Sequence, residues 1–325
     1  MNATPKSTCE ILFVSVVIFN RGTKENVIKS MIDQVTYHHK SIDEFYQHGE
    51  SCKVLISDDF TKQHLEEVRT SFQLFQVNSS KAFSSISKAH PWLEKNGNAK
   101  TAMINGCPLP RMQYVSQFLT SLEYSQKNIV FIDTDTLILG DLREIFITHP
   151  DLDLGFTMGG HYVKKQDPNH FINVGVIFIS ENRASSKFLS FVSEYCTKMS
   201  TELSQQVILD QYSTFQALER YKLETNTGSL MGRKLVGDCV LVKFTLNSRS
   251  IRVYFLSEEY NTPGRKLYKT SRVAHFAGGA REKMLMVRLG KVLLREGVEN
   301  FKQRYAHRTF KKSRVQPNFP TKCTT

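Results

Sequence analysis

The sequence is poor in the features that commit a chain to several common classes. It holds one tryptophan and six cysteines in 325 residues, and the cysteines (Cys9, Cys52, Cys107, Cys196, Cys239 and Cys323) never form a C-x-x-C pair. That scatter excludes a zinc ribbon and supplies no disulfide framework, so free, mostly buried thiols in a reducing compartment are expected. No apolar run approaches the roughly 20 residues of a membrane-spanning helix. The opening MNATPKSTCE lacks the basic and apolar regions of a secretory leader. These absences give a cytoplasmic expectation, with the Golgi lumen as the alternative should a membrane anchor lie outside the sequence. Acids are outnumbered as well, 31 against 43 lysines and arginines, for a net charge of +12. Such a surplus asks for an anionic partner: nucleotide, nucleic acid, phospholipid or acidic glycan. Part of it lies near the C-terminus, where Lys302, Arg304, Arg308, Lys311, Lys312 and Arg314 form a basic tail suited to weak contact with a membrane surface. No RNA- or DNA-binding signature with interleaved aromatics accompanies the charge, so no nucleic-acid partner is expected.

What is present is a set of buried strands. The hydrophobic fraction of 40% supports a substantial core. Ile11 to Phe19 is an almost unbroken apolar run and reads as a central strand. A helix over about 24–36, a strand over 53–57, a helix from Thr61 to Thr70 and a strand over 72–77 follow. This alternation predicts a parallel, doubly wound α/β sheet. Residues 80–110 are irregular and read as an excursion over the catalytic face. A helix is expected over 111–124, with helices also over 141–147, 181–199, 206–220 and 282–296. Strands are expected over 153–158 and 172–180, with a hairpin from 240–246 and 251–256 and a short strand over 273–276. No internal repeat or linker divides the chain, which gives one domain over 1–300 and a basic tail over 301–325.

The stretch that organises the rest is Asn128 to Leu142, NIVFIDTDTLILGDL. An apolar strand runs into Asp133-Thr134-Asp135. In extended backbone, residues two apart face one side, so the two carboxylates are expected to project together. Paired carboxylates repel unless a cation lies between them, and hard oxygen ligands suit Mg²⁺ or Mn²⁺. The plain alternative is that both acids cap a strand or turn. The strand Ile172 to Ser180 carries Asn173 and Gly175: a polar residue there needs a partner, and an interior glycine implies close approach of another group to the backbone.

These features recur in a known order. VFIDTDTLILGDLREIF, FINVGVIFI, LDQYSTF, FLSEEYN and VAHFAGGAR together resemble the retaining family 8 glycosyltransferases, over about residues 111–290. The resemblance implies a nucleotide-diphospho-sugar transferase of the GT-A type, a UDP-sugar donor and Mn²⁺, with Mg²⁺ as the alternative. The acceptor is left open among glycan, protein and lipid. It assigns Asp133, Asp135 and His275 to the metal. Asn173, Asp210 and Gln211 fall to the sugar and its anomeric carbon, and Arg111, Thr134, Gly175, Gly278 and Arg281 to donor binding. The family's Lys-Pro-Trp after the histidine is Arg281-Glu282-Lys283 here, so a charge is kept and the Pro-Trp element is lost. Ser257 likewise stands where the family has proline. Two other readings compete: a haloacid-dehalogenase-type phosphatase, whose nucleophile strand is also apolar-Asp-x-Asp, and a basic nucleic-acid-binding protein. The first expects Thr or Val where this chain has Leu137, and a late Gly-Asp followed by another acid, which Gly237-Asp238 lacks.

Overall fold

In the computed structural model the continuous apolar runs become the inner strands of one sheet. The described residues are 9–19, 23–46, 49–66, 68, 72–78, 108–122, 128–158, 172–180, 182–200, 209–221, 239–244, 249–278 and 280–306. Strands β1 (Ile11–Val16), β2 (Ser51–Ser57) and β3 (Gln73–Gln76) pair in parallel, and β4 (Ile129–Ile132) joins the free side of β1 in the same sense. Helices α1 (Glu25–Asp43) and α2 (Asp59–His64) follow β1 and β2. All four residues of β4 are buried, as expected of a strand covered on both faces. Asp58 caps α2, its Oδ1 accepting from the Thr61 backbone N–H at 2.8 Å, and the helix runs Asp59–His64 rather than Thr61 to Thr70.

The doubly wound, parallel expectation holds for this half and changes beyond it. β7 (Ile172–Ile179) runs antiparallel between β4 and β6 (Leu154–Met158). β9 (Arg249–Leu256) returns parallel to β6, and β8 (Cys239–Phe244) closes the edge as the antiparallel arm of the expected hairpin. The order is β3-β2-β1-β4-β7-β6-β9-β8, mostly parallel, with helices on its faces.

Alternation along the strands feeds two cores. Leu12, Val14, Ile129 and Phe131 pack with Met112, Val115 and Phe118 of α3 (Pro108–Ser121), with α5 (Asn182–Ser200) and with α6 (Leu209–Tyr221). Phe13, Val130, Ile132 and Val176 point the other way, onto Ile42 of α1 and Ile145 of α4 (Arg143–Thr148). On that side a second sheet forms: β5 (Thr136–Ile138) pairs antiparallel with β11 (Val273–His275), and β10 (Thr262–Pro263) pairs parallel with β11. Helix α7 (Ala280–Glu296) covers it, and α8 (Val298–Tyr305) buries Phe301 in the same cluster, so the fold continues past residue 300. The expectation of free thiols fails at Cys239, which is disulfide-bonded. No described helix is long and apolar enough to cross a membrane. Most of the excursion over 80–110 lies outside the described residues.

Candidate active site

The chain does not run straight through the Asp-x-Asp stretch. Asp133 ends the strand, its N–H donating to the Gly175 carbonyl at 2.9 Å, and a turn over Thr134-Asp135 starts β5. The Thr136 hydroxyl donates to the Asp133 carbonyl at 2.7 Å and closes that turn. The carboxylates therefore converge through a turn rather than through the pleat of one strand. Antiparallel pairing then sets His275 opposite Thr136, and the Phe276 N–H donates to the Asp135 carbonyl at 2.8 Å. This pairing joins residues 139 positions apart in sequence, and its register brings the imidazole to the two acids.

His275 Nε2 lies 3.1 Å from Asp135 Oδ1 and 3.7 Å from Asp133 Oδ2. One ligand atom from each of the three side chains falls within 4.8 Å of the others. Asp135 Oδ1 is buried and has an electrostatic neighbour in His275 but no hydrogen bond of its own. Burial would raise both acids. Asp133 is raised above the ordinary carboxylate range in spite of Arg111, whereas His275 and Lys283 hold Asp135 well below it. Burial would lower His275, but the two carboxylates keep it above its usual value. Two buried carboxylates, an imidazole between them and an orphaned acceptor oxygen are what a divalent cation fits.

Behind the acids, Arg111 on α3 bridges two of the expected residues. Its Nη1 donates to Asp133 Oδ1 at 2.5 Å, and its Nη2 makes an ion pair with Asp210 Oδ2. The guanidinium also lies 5.5 Å from the centre of the Phe131 ring. Burial would lower it, but Asp133 and Asp210 hold it charged. Asp210 is buried in the first turn of α6, where its Oδ1 accepts from the Gln211 N–H at 2.8 Å; Gln211 is partly exposed beside it. Asn173 curls back along its own strand and accepts from the Gly175 N–H at 2.9 Å.

Gly175 is explained by a protein group. A Cβ there would lie 2.4 Å from His275 Cε1 and 3.0 Å from Asp133 Oδ2, so the close approach expected at this glycine is the imidazole ring. Gly278 has φ of +141°, a backbone that disfavours side chains, and Glu282 folds over it, held in turn by Arg265. Arg281, expected at the donor, is exposed on the first turn of α7. Lys283 turns inward instead and pairs with Asp135 Oδ2. Lys283, Arg111, Thr134 and Asp135 share a pocket that is also lined by Val16 to Ile18 and by Gln34 of α1.

Sequence reasoning gave no role to a second tier that fixes this cluster. His38 of α1 faces Thr136, with Nδ1 3.0 Å from its hydroxyl and 3.2 Å from its carbonyl, and Nε2 3.3 Å from Ser15 Oγ. Burial drives its pKa down to about 4, so it stays neutral and serves as a spacer under the turn. Asn261 meets His275 Nδ1 at 2.8 Å. The Tyr-Asn pair at 260–261 was the only hint of it in the sequence.

The family model for nucleotide-diphospho-sugar transferases matches residues 112–272, a span containing Asp133, Asp135, Asn173, Asp210 and Asn261. No curated protein matches the chain. Among solved structures, an active-site mutant of LgtC is similar with a TM-score of 0.47 and 12% identity, over 90% of this chain and 94% of that one. The galactosyltransferase LgtC in complex with donor and acceptor sugar analogues has a TM-score of 0.44 and 11% identity, over 86% and 95%. Mouse xyloside xylosyltransferase 1, in its apo form, has a TM-score of 0.34 and 11% identity, over 63% and 80%.

Proposed function

The chain belongs to the nucleotide-diphospho-sugar transferase family and is a glycosyltransferase, and we propose that it transfers a sugar from a UDP-sugar to an acceptor hydroxyl with retention at the anomeric carbon, in a Mn²⁺-dependent reaction. The observation that carries this reading is the buried Asp133–Asp135–His275 cluster with an orphaned oxygen on Asp135. An imidazole in the set favours Mn²⁺ over Mg²⁺, because imidazole suits the later metals better.

Asp133, Asp135 and His275 would hold the cation, which supplies charge neutralisation for the departing diphosphate. Lys283 brings a point charge to the same pocket and is placed to share that load. Both oxygens of Asp210 are taken, one by Arg111 and one by the Gln211 N–H. A carboxylate pinned in this way is a poor mobile base and a good fixed charge, suited to steadying oxocarbenium character at the anomeric carbon. The acceptor oxygen would then bond to that carbon as its bond to the diphosphate breaks, with the acceptor proton passing to the leaving diphosphate. The acceptor is a glycan, protein or lipid, and the proposal gives its selection to the sequence segment 78–110. The disulfide at Cys239 supports an oxidising compartment such as the Golgi lumen over the cytoplasm expected from the sequence.

A panel of nucleotide sugars tests this. Hydrolysis of a UDP-sugar should appear with Mn²⁺, vanish in EDTA, and release a product whose first-formed anomer matches the donor by NMR. Full activity in EDTA, or an inverted anomer, would overturn it.

A further inference from the structure

We propose that Asn261 is a positioning residue that fixes the tautomer of His275, so that Nε2 is always presented to the metal; the inference rests on the metal reading above. The polarity of the contact follows from a chain of buried hydrogen bonds that ends on a group with no choice. The Asn173 carbonyl can only accept, and it receives the Thr157 hydroxyl proton at 3.1 Å. With its proton committed, Thr157 Oγ1 must accept, so it is the amide nitrogen of Asn261 that faces it, at 2.9 Å. Asn261 therefore turns its oxygen to His275, 2.8 Å from Nδ1, and that nitrogen must carry hydrogen. The lone pair left for metal binding is on Nε2, the nitrogen that faces Asp133 and Asp135.

Every member of the relay is held from more than one side. Asn261, Thr157 and His275 are all buried. Thr157 faces Asn173 because the register between β6 and β7 slips after Phe156, a bulge that aims the hydroxyl at the Asn173 carbonyl. Asn261 ends the 3₁₀ turn Glu258–Asn261, and the His275 carbonyl accepts from the Gly264 N–H at 2.7 Å. A flipped Asn261 amide would offer an N–H to Nδ1, which would then have to accept, sending the imidazole proton to Nε2 and taking the lone pair away from the two acids. It would also require the Thr157 proton at the amide oxygen, leaving the Asn173 carbonyl without it. The bulge on β6 thus reaches His275 through two side chains, Thr157 and Asn261, neither of which titrates.

Calorimetric titration of Mn²⁺ into the full chain, with melting temperature recorded for each variant, tests the relay without recourse to activity. Asn261→Ala should weaken Mn²⁺ binding by about 10–100-fold, the usual scale for losing an outer-tier partner of a metal ligand. Asn261→Asp, which keeps an acceptor toward Nδ1, should bind within a few-fold of wild type. Thr157→Val, which frees the amide to flip, should weaken binding although it removes no group near the metal. Folded Asn261→Ala with wild-type affinity would overturn the proposal, as would Asn261→Asp losing as much as Asn261→Ala. Should Asn261→Ala not fold, Thr157→Val with undiminished affinity overturns it alone. Wild-type protein that binds no Mn²⁺ would remove the metal reading and this inference with it, whereas wild-type binding beside unaffected variants removes only the inference.

Discussion

Two acid clusters in this molecule look alike in sequence and differ in what surrounds them. Just before β6, Asp153 takes a bidentate contact from Arg252 of β9 (Nε to Oδ2 and Nη2 to Oδ1, both 3.0 Å) and a third bond from the Arg252 N–H at 2.8 Å. Asp151 beside it accepts from the Tyr254 hydroxyl at 2.8 Å. These acids are matched, and the arrangement secures two neighbouring strands. At the end of β4, three carboxylates (Asp133, Asp135 and Asp210) share two fixed cations, Arg111 and Lys283, and Asp135 Oδ1 is left without a hydrogen bond. The lesson is that incomplete satisfaction under burial, rather than acid content, separates the reactive end of the sheet from a structural one.

The largest expected effect breaks the comparison directly. Asp135→Asn should lower turnover by at least about 100-fold, since it removes a charged ligand. Asp153→Asn should leave turnover near wild type and cost about 1–3 kcal/mol of stability through its disrupted hydrogen bonds. Donor hydrolysis and chemical denaturation on both variants check this; equal activity losses would erase the distinction.

Gly175→Ala comes next. The new methyl would sit 2.4 Å from His275 Cε1, so the ring must leave its place, and Mn²⁺ affinity should fall by about 10–100-fold. Calorimetry with retained near-UV circular dichroism is the measurement. Undiminished affinity would mean that the ring is free to move aside and still bind.

The smallest pair separates two cations two residues apart. Lys283→Ala should lower kcat/KM by roughly tenfold, the scale of a partly screened charge on a leaving group, and Arg281→Ala by less than about twofold. The reverse order would restore Arg281 to the donor site.

That last pair shows where the sequence stopped being legible. Asp133, Asp135 and His275 were readable because each ends or begins an apolar strand and because their motifs occur in a fixed order. Arg281 and Lys283 were not separable, since successive side chains on a helix turn by about 100° and two residues apart face nearly opposite ways. Choosing between them requires the phase of α7, and its first residue, Ala280, lies two positions before the start expected from the pattern. Gly175 was legible as a close approach, but the approaching group lay 100 residues downstream. The Thr157–Asn261–His275 relay depends on a bulge in β6, which leaves no periodic trace. The strands over 11–19 and 172–180 were legible nearly to their ends because burial on both faces makes them continuously apolar, while the antiparallel sense of β7 is a tertiary choice. The disulfide at Cys239 was hidden because scattered cysteines carry no pairing information.

The most direct measurement is a crystal of the full chain soaked in Mn²⁺ and recorded at a wavelength where manganese scatters anomalously. One strong anomalous peak is expected, bounded by Asp133, Asp135 and His275 Nε2, with Lys283 turned from Asp135 and His275 Nδ1 still bonded to Asn261. No peak at the cluster, or a peak elsewhere with Lys283 still paired to Asp135, would contradict it.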